Sequence, residues 1–260
     1  RWNDKGEVVE CEIPEYSQNN LGICTDALME AVAETSEEFM ERYFNGDEFS
    51  ENEIRQALRV NVADASMVPV SMGSSILAQG MYTLLDDIIK YFPSPDKRSC
   101  TGINAKSNEV YSADYDFSKP KSAYIFKTIV DPFIGKYSLI KVNSGVLKTD
   151  DLLFNHHRDT EGRIGKLYVM CGSKPQEVPE LHAGDIGALA KLSGAMTTDS
   201  LSTRANPILF IRTSISEPYT GMRYKAKNKG DEDKISQALQ KIMQEDLTIK
   251  TVNDLSLIHI

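Results

Sequence analysis

Cysteine is scarce in this sequence: there are four in 260 residues, and none forms a C-x-x-C pair. Cys11, Cys24, Cys100 and Cys171 stand far apart, which argues against a zinc ribbon or a disulfide framework and reads as reduced thiols in a cytoplasmic protein. No apolar run approaches the roughly 20 residues that a bilayer-spanning helix needs, so no membrane partner is expected. Positive charge is also short. With 38 acidic against 29 basic residues the formal charge is −9, and such a chain repels a phosphate backbone at long range. Autonomous nucleic-acid binding, DNA included, is therefore not expected, although a local basic patch stays open. The start, Arg1-Trp2-Asn3-Asp4, has no initiator Met, signal peptide or amphipathic targeting pattern, so the chain is expected to begin in mid-protein or after processing. Finally, no G-x-x-x-x-G-K-[ST] string occurs; Gly135-Lys136 and Gly165-Lys166 lack both the earlier glycine and the following hydroxyl residue, and both fall in predicted strands.

What is present is an ordinary globular composition, 41% hydrophobic and 26% charged, long enough for one to three domains. Residues 1–92 read as mostly helical. Leu28, Ala31, Val32, Phe39 and Tyr43 predict one amphipathic helix whose solvated face carries Glu34, Glu37, Glu38 and Glu41, and Asn45-Gly46-Asp47 ends it. Ser50 and Glu53 form a capping-box pair that starts a second helix with Ile54, Leu58 and Val62 as its stripe. Met67-Val68-Pro69-Val70 predicts a short strand running into the turn Met72-Gly73-Ser74-Ser75. A third helix follows with Met81, Leu84, Leu85, Ile88 and Ile89 inward, stopped by Pro93 and Pro95.

Residues 93–118 have no sustained period and read as a linker. Across 119–216, short β-branched and aromatic segments at 123–130, 136–142, 152–154, 163–170, 185–192 and 207–214 alternate with turn residues. Gly135, Asn143-Ser144-Gly145, Gly162, Gly172 and Gly184-Asp185 punctuate them, which predicts an all-β barrel or sandwich. From 217 to 254 the pattern predicts a strand at 219–227, a helix from near Asp231 buried through Ile235, Leu239 and Ile242, and a strand at 247–252, the start of a β-α-β unit. His156-His157 lies on a polar turn without a carboxylate or Cys partner at ligand spacing and reads as a solvated loop.

Ile129-Val130-Asp131-Pro132-Phe133-Ile134-Gly135-Lys136-Tyr137, then Val142-Asn143-Ser144-Gly145-Val146-Leu147, then Leu181-His182-Ala183-Gly184-Asp185-Ile186-Gly187-Ala188, then Thr198-Asp199-Ser200-Leu201 resembles domain II of elongation factor G. Tyr91-Phe92-Pro93-Ser94-Pro95 is similar to that family's exit from its GTPase domain, and Ile235-Ser236-Gln237-Ala238-Leu239 with Glu245-Asp246 to the first helix of its third domain. The resemblance implies a multidomain chain. Residues 1–92 would be the C-terminal part of an α/β P-loop GTPase domain with a helical insertion, 119–216 a translation-factor-type β-barrel, and 217–254 the start of an α+β ferredoxin-like domain. Leu255-Ser256-Leu257-Ile258-His259-Ile260 does not fit the family; it resembles translated sequencing-adapter read-through, the alternative being a divergent strand.

The family hydrolyses GTP with magnesium to promote ribosomal translocation, so the resemblance implies those cofactors for the parent protein and none held tightly by this fragment. It implies the ribosome as partner: small-subunit RNA through the barrel, and the ribosomal stalk through the acidic helices. Gly73, Ser74 and Ser75 match the turn whose amides meet guanine, with Ser75 in place of the usual Ala. Asp159-Thr160-Glu161-Gly162 and Asn228-Lys229-Gly230-Asp231 imitate the D-x-x-G and N-K-x-D signatures but lie after Gly73, where the family does not place them; the first reads as a hairpin turn. A ribosomal protection protein of the tetracycline-resistance type and a non-enzymatic ribosome-binding module are the alternatives.

Overall fold

The computed structural model describes residues 2–131, 135–192, 194–228 and 230–252, in two units, Arg1–Ser94 and Pro95–Ile260. In the first unit, caps decide where helices begin and end. The periodicity that predicts one helix is cut in two, α1 (Glu15–Ala33) and α2 (Glu37–Asn45), because Ser36 takes an extended backbone and its hydroxyl accepts the Phe39 amide at 3.1 Å. Gly46, left-handed at φ 81°, closes α2. α3 (Glu51–Ala63) opens on the predicted capping box, with Ser50 and Glu53 each bonding the other's backbone. Arg42 joins α2 to α3 by pairing with Glu53 at 2.6 Å, while its guanidinium lies over the Phe39 and Phe49 rings. That contact and the Ser50 bonds hold the Glu53 carboxyl down at about 2. Val32, Ala57 and Leu58 form a small core.

α4 (Met81–Tyr91) departs from expectation: none of its residues is buried, and Leu85 is 55% and Ile89 71% exposed. Residues 67–70 form no strand either, since among the described residues no neighbouring strand offers them a ladder. Arg59 caps the end of α4 through the carbonyls of Ile89 and Lys90.

The second unit is built around an eight-stranded antiparallel sheet in the order β7-β6-β12-β3-β4-β11-β8-β9. Its strands are β3 (Ser122–Asp131), β4 (Gly135–Ser144), β6 (Leu152–Asn155), β7 (Thr160–Arg163), β8 (Leu167–Cys171), β9 (Lys174–Val178), β11 (Ile186–Ala190) and β12 (Ser200–Ser202). β5 (Val146–Lys148) and β10 (Glu180–His182) pair separately. Leu153 of β6 and Leu167 of β8 share one apolar cluster with Ile125, Ile140 and Leu189. In a flat sheet those two strands would lie more than about 20 Å apart at about 4.8 Å per strand. The sheet therefore curls around its own core, helped by register shifts between β3 and β4. Gly162 on β7 faces Leu192 beyond β11, close enough that an added Cβ would sit 2.6 Å from Leu192 Cδ1.

Other expectations need correction. The segment 163–170 is two strands, with Gly165 and Lys166 in the connection and not in a strand, because the chain turns at Ile164 to exchange backbone bonds with Asp150 and Asp151. The 93–118 segment is no linker: β1 (Thr101–Asn104) and β2 (Val110–Ser112) pair with β13 (Ile208–Leu209) in a third sheet. Only residues 208–209 of the predicted strand 207–214 form ladder, because the Ile208 and Phe210 amides donate to the hydroxyls of Ser202 and Ser200 on β12. Past the barrel, α5 (Glu232–Glu245) forms as expected but buries no residue, and 219–227 and 247–252 pair with no strand among the described residues. Residues 255–260 lie outside the described residues.

Turn glycines are not equivalent. At Gly145 (φ 72°) an added Cβ would lie 2.8 Å from Lys119 O, whereas at Gly172 (φ 63°) nothing lies within 4 Å. Gly145→Ala should cost about 2–4 kcal/mol and Gly172→Ala about 1 kcal/mol. Urea unfolding followed by far-UV circular dichroism compares them, and equal losses would show that steric closure at Gly145 is unimportant.

Candidate functional site

Gly73, Ser74 and Ser75 lie in the loop before α4. Ser74 and Gln79 exchange backbone bonds at 3.0 and 3.1 Å, and the Ser74 hydroxyl accepts the Leu77 amide. Gly73 is needed for closure, since an added Cβ would meet Gln79 O at 2.6 Å. The Ser74 amide is thus committed within the loop. Ser75 is exposed.

The most strongly constrained polar group lies in the barrel, at a position to which its sequence motif assigns no role. The Asp199 carboxylate has no exposed surface. Its Oδ2 accepts from Asn155 Nδ2 at 2.8 Å, Arg158 Nε at 2.7 Å and the Met196 amide at 3.0 Å, and its Oδ1 from Arg212 at 2.7 Å. Burial pushes its pKa up, but bonds from Asn155, Arg158 and Met196 and the Arg158 charge outweigh burial and hold it below the usual carboxylate range. The signal available in sequence was an aspartate inside a β-strand motif, with arginines on either side of it at a distance.

His157 stands beside this centre and corrects the solvated-loop expectation for the histidine pair. It is half-buried, its Nε2 is enclosed without a hydrogen-bond partner, and burial together with nearby Arg212 lowers its pKa. His156 remains exposed, edge-on to Phe154. Lys136, at the start of β4, donates its ammonium to the Ala195 carbonyl; burial and then Arg158 depress its pKa. His182 bonds Glu180 at 2.9 Å and packs against Phe117, a structural position on β10.

Among the described residues no group of three His, Cys, Asp or Glu could hold a metal ion. Asp159 lies in the β6–β7 turn at φ 47°, and Gly162 packs on Leu192, so the D-x-x-G string is a hairpin. Asn228 bonds Asp231 ahead of α5; Lys229 lies outside the described residues. Among the described residues no disulfide joins the cysteines, and no helix is long and apolar enough to cross a membrane.

The curled sheet with its flanking β5–β10 pair defines a translation-factor-type barrel. Residues 120–203 match the model of elongation factor G domain 2, and residues 215–255 that of elongation factor G domain III. A crystal structure of a Thermus thermophilus protein is similar over 96% of this chain and 35% of that one, with 27% identity and a TM-score of 0.76. Residues 120–203 and 215–255 are thus similar to two successive domains of elongation factor G. The chain spans about a third of the length of that solved relative, 35%.

Asp199→Ala would leave Arg158 and Arg212 without their shared counter-charge. Because both arginines are part-exposed, the expected loss is about 2–3 kcal/mol, below that of a fully buried pair. The depressed pKa means that the carboxylate stabilises the fold above its unfolded value near about 3.9 and loses that contribution as pH falls through the folded value. The stability gap between wild type and Asp199→Asn, measured by urea melts from about pH 7 to about pH 2, should therefore narrow below about pH 4. A constant gap would contradict this assignment.

Proposed function

We propose that this chain is part of an elongation factor G-like translational GTPase that uses GTP hydrolysis, with magnesium, to promote ribosomal translocation in the cytoplasm. The match of residues 120–203 to domain 2 of that family carries the reading. In it, the barrel docks on small-subunit ribosomal RNA, and the acidic face of α2, with Glu37, Glu38 and Glu41 exposed, meets the ribosomal stalk.

The first unit is read as the C-terminal part of an α/β P-loop GTPase domain. Two observations support this: the exposed apolar residues of α4 and the unpaired, exposed Val68 and Val70 have the pattern of a helix and strand that complete themselves against a sheet. The turn Gly73-Ser74-Ser75 is read as its guanine contact. The C-terminal part is read as the start of a ferredoxin-like domain, supported by the unburied α5 and by an open groove of about 690 Å³ between residues 216–224 and 248–252. GTP and magnesium belong to the parent protein, and the chain alone is expected to hold neither tightly.

The purified chain should co-sediment with small ribosomal subunits and hydrolyse GTP no faster than a buffer blank. Failure to co-sediment would remove the ribosome reading. Sustained GTP turnover by the chain alone would remove the assignment of catalysis to other parts of the parent.

A further inference from the structure

Two clefts on the barrel gather positive charge in a chain whose net charge is −9. The larger, about 470 Å³, is lined by Arg163, Gly165, Lys166, Tyr168, Ala190 and Lys191. The smaller, about 230 Å³, includes Lys136, Arg158, Thr160 and Gly194, with Gln244 of α5 also lining it. The two are joined through the backbone, since the Lys191 amide donates to the Lys136 carbonyl at 2.9 Å, and Thr160 and Arg163 are the two ends of β7. No carboxylate lines either cleft among the described residues. Those that reach their cations do so from outside the lining: Asp199 to Arg158, Glu177 to Lys166 at 2.7 Å, and Asp150 to Arg163 at 3.6 Å. Lys136 and Lys191 make no ion pair with a carboxylate among the described residues, although Asp199 acts on Lys136 through space. Five cations against three such carboxylates leave an excess of two positive charges.

We propose that these clefts form one groove that holds the sugar–phosphate backbone of an RNA strand, with phosphates at the Lys136–Arg158 and Arg163–Lys166–Lys191 clusters and Tyr168 offering a ring to a base. The inference rests on the ribosome reading above and deepens it by naming the surface. Charge spread over two connected clefts suits repeated phosphates better than one small anion. An aromatic side chain among the cations suits a strand with accessible bases. The half-buried Lys136, destabilised as a cation by burial and by Arg158, gains most from an incoming phosphate. Local geometry thus overrides the overall charge, whose repulsion weakens with added salt.

The test measures binding of the 260-residue chain to a fluorescein-labelled single-stranded RNA of about 20 nucleotides by anisotropy, over a salt series. Arg163→Ala, Lys166→Ala and Lys191→Ala are combined in one variant. A control combines Lys90→Ala, Lys106→Ala and Lys225→Ala, which removes the same charge elsewhere. The groove variant should weaken binding about tenfold or more and lower the salt slope by about two, at roughly 0.7 per lost phosphate contact, while the control stays within about threefold. If the groove variant does not fold, Lys191→Gly serves instead: its left-handed backbone (φ 57°) accepts glycine, and the slope should fall by about 0.7. Equal losses in groove variant and control, no loss in the groove variant, no RNA binding by wild type, or equally good displacement by poly-aspartate would overturn the groove, the last in favour of an acidic peptide. Co-sedimentation with small ribosomal subunits separates the two readings. Subunit binding indifferent to the groove variant sinks the groove and keeps the ribosome reading; groove-dependent RNA binding without subunit binding does the reverse.

Discussion

A carboxylate removed from water must have its charge answered by neighbours, and Asp199 is the point where this protein meets that demand. Groups from three stretches of chain converge on it: Asn155 at the end of β6 with Arg158 in the turn to β7, Arg212 beyond β13, and the amide of Met196, three residues before Asp199 itself. Each contact fixes a loop at one end of the barrel. Breaking the arrangement by removing one partner leaves charge stranded in a low-dielectric interior, which is why such centres tolerate little change.

The same centre controls what the barrel shows to solvent. Arg158 is held by Asp199 yet remains part-exposed, and it raises the potential felt by Lys136 on β4. Lys191 follows β11 and is tied to Lys136 through the backbone. A strand order that places β4 beside β11 therefore gathers cations that are scattered along the chain. Net charge, a property of composition, says nothing about this local surface.

Elsewhere the two units have unfinished faces. In the first, α4 is capped at both ends, by Gly80 and Arg59, yet its apolar residues meet solvent. In the second, α5 rests on the barrel through Glu245, which accepts the Val130 amide at 2.5 Å, while its own apolar residues bury nothing completely. Good local helix signals with no buried stripe are the mark of elements whose stability comes from packing partners.

Local chemistry was legible in the sequence. The Ser50–Glu53 box, the left-handed Gly46, and the barrel turns at Gly145, Gly172 and Gly184 all follow from side-chain hydrogen bonding or backbone sterics within a few residues. The order of those turns was enough to point to the family. Less legible were features in which a local and a periodic signal compete: the Ser36 cap splits a helix that its apolar spacing joins, and the serines of β12 take amides that would otherwise extend β13. Periodicity also could not tell an inward stripe from an outward one in α4, since it records that a face is apolar and not what covers it. The sequence by itself determined the helix caps, the glycine turns and the barrel's strand-and-turn rhythm, because their causes act over a few bonds. Only the tertiary structure decided that Asp199 would be enclosed by two arginines, that His157 would lose solvent, and that cations on β4 and β7 and just beyond β11 would gather in two neighbouring clefts, because burial and Coulomb interactions depend on distances through space that chain separation does not set.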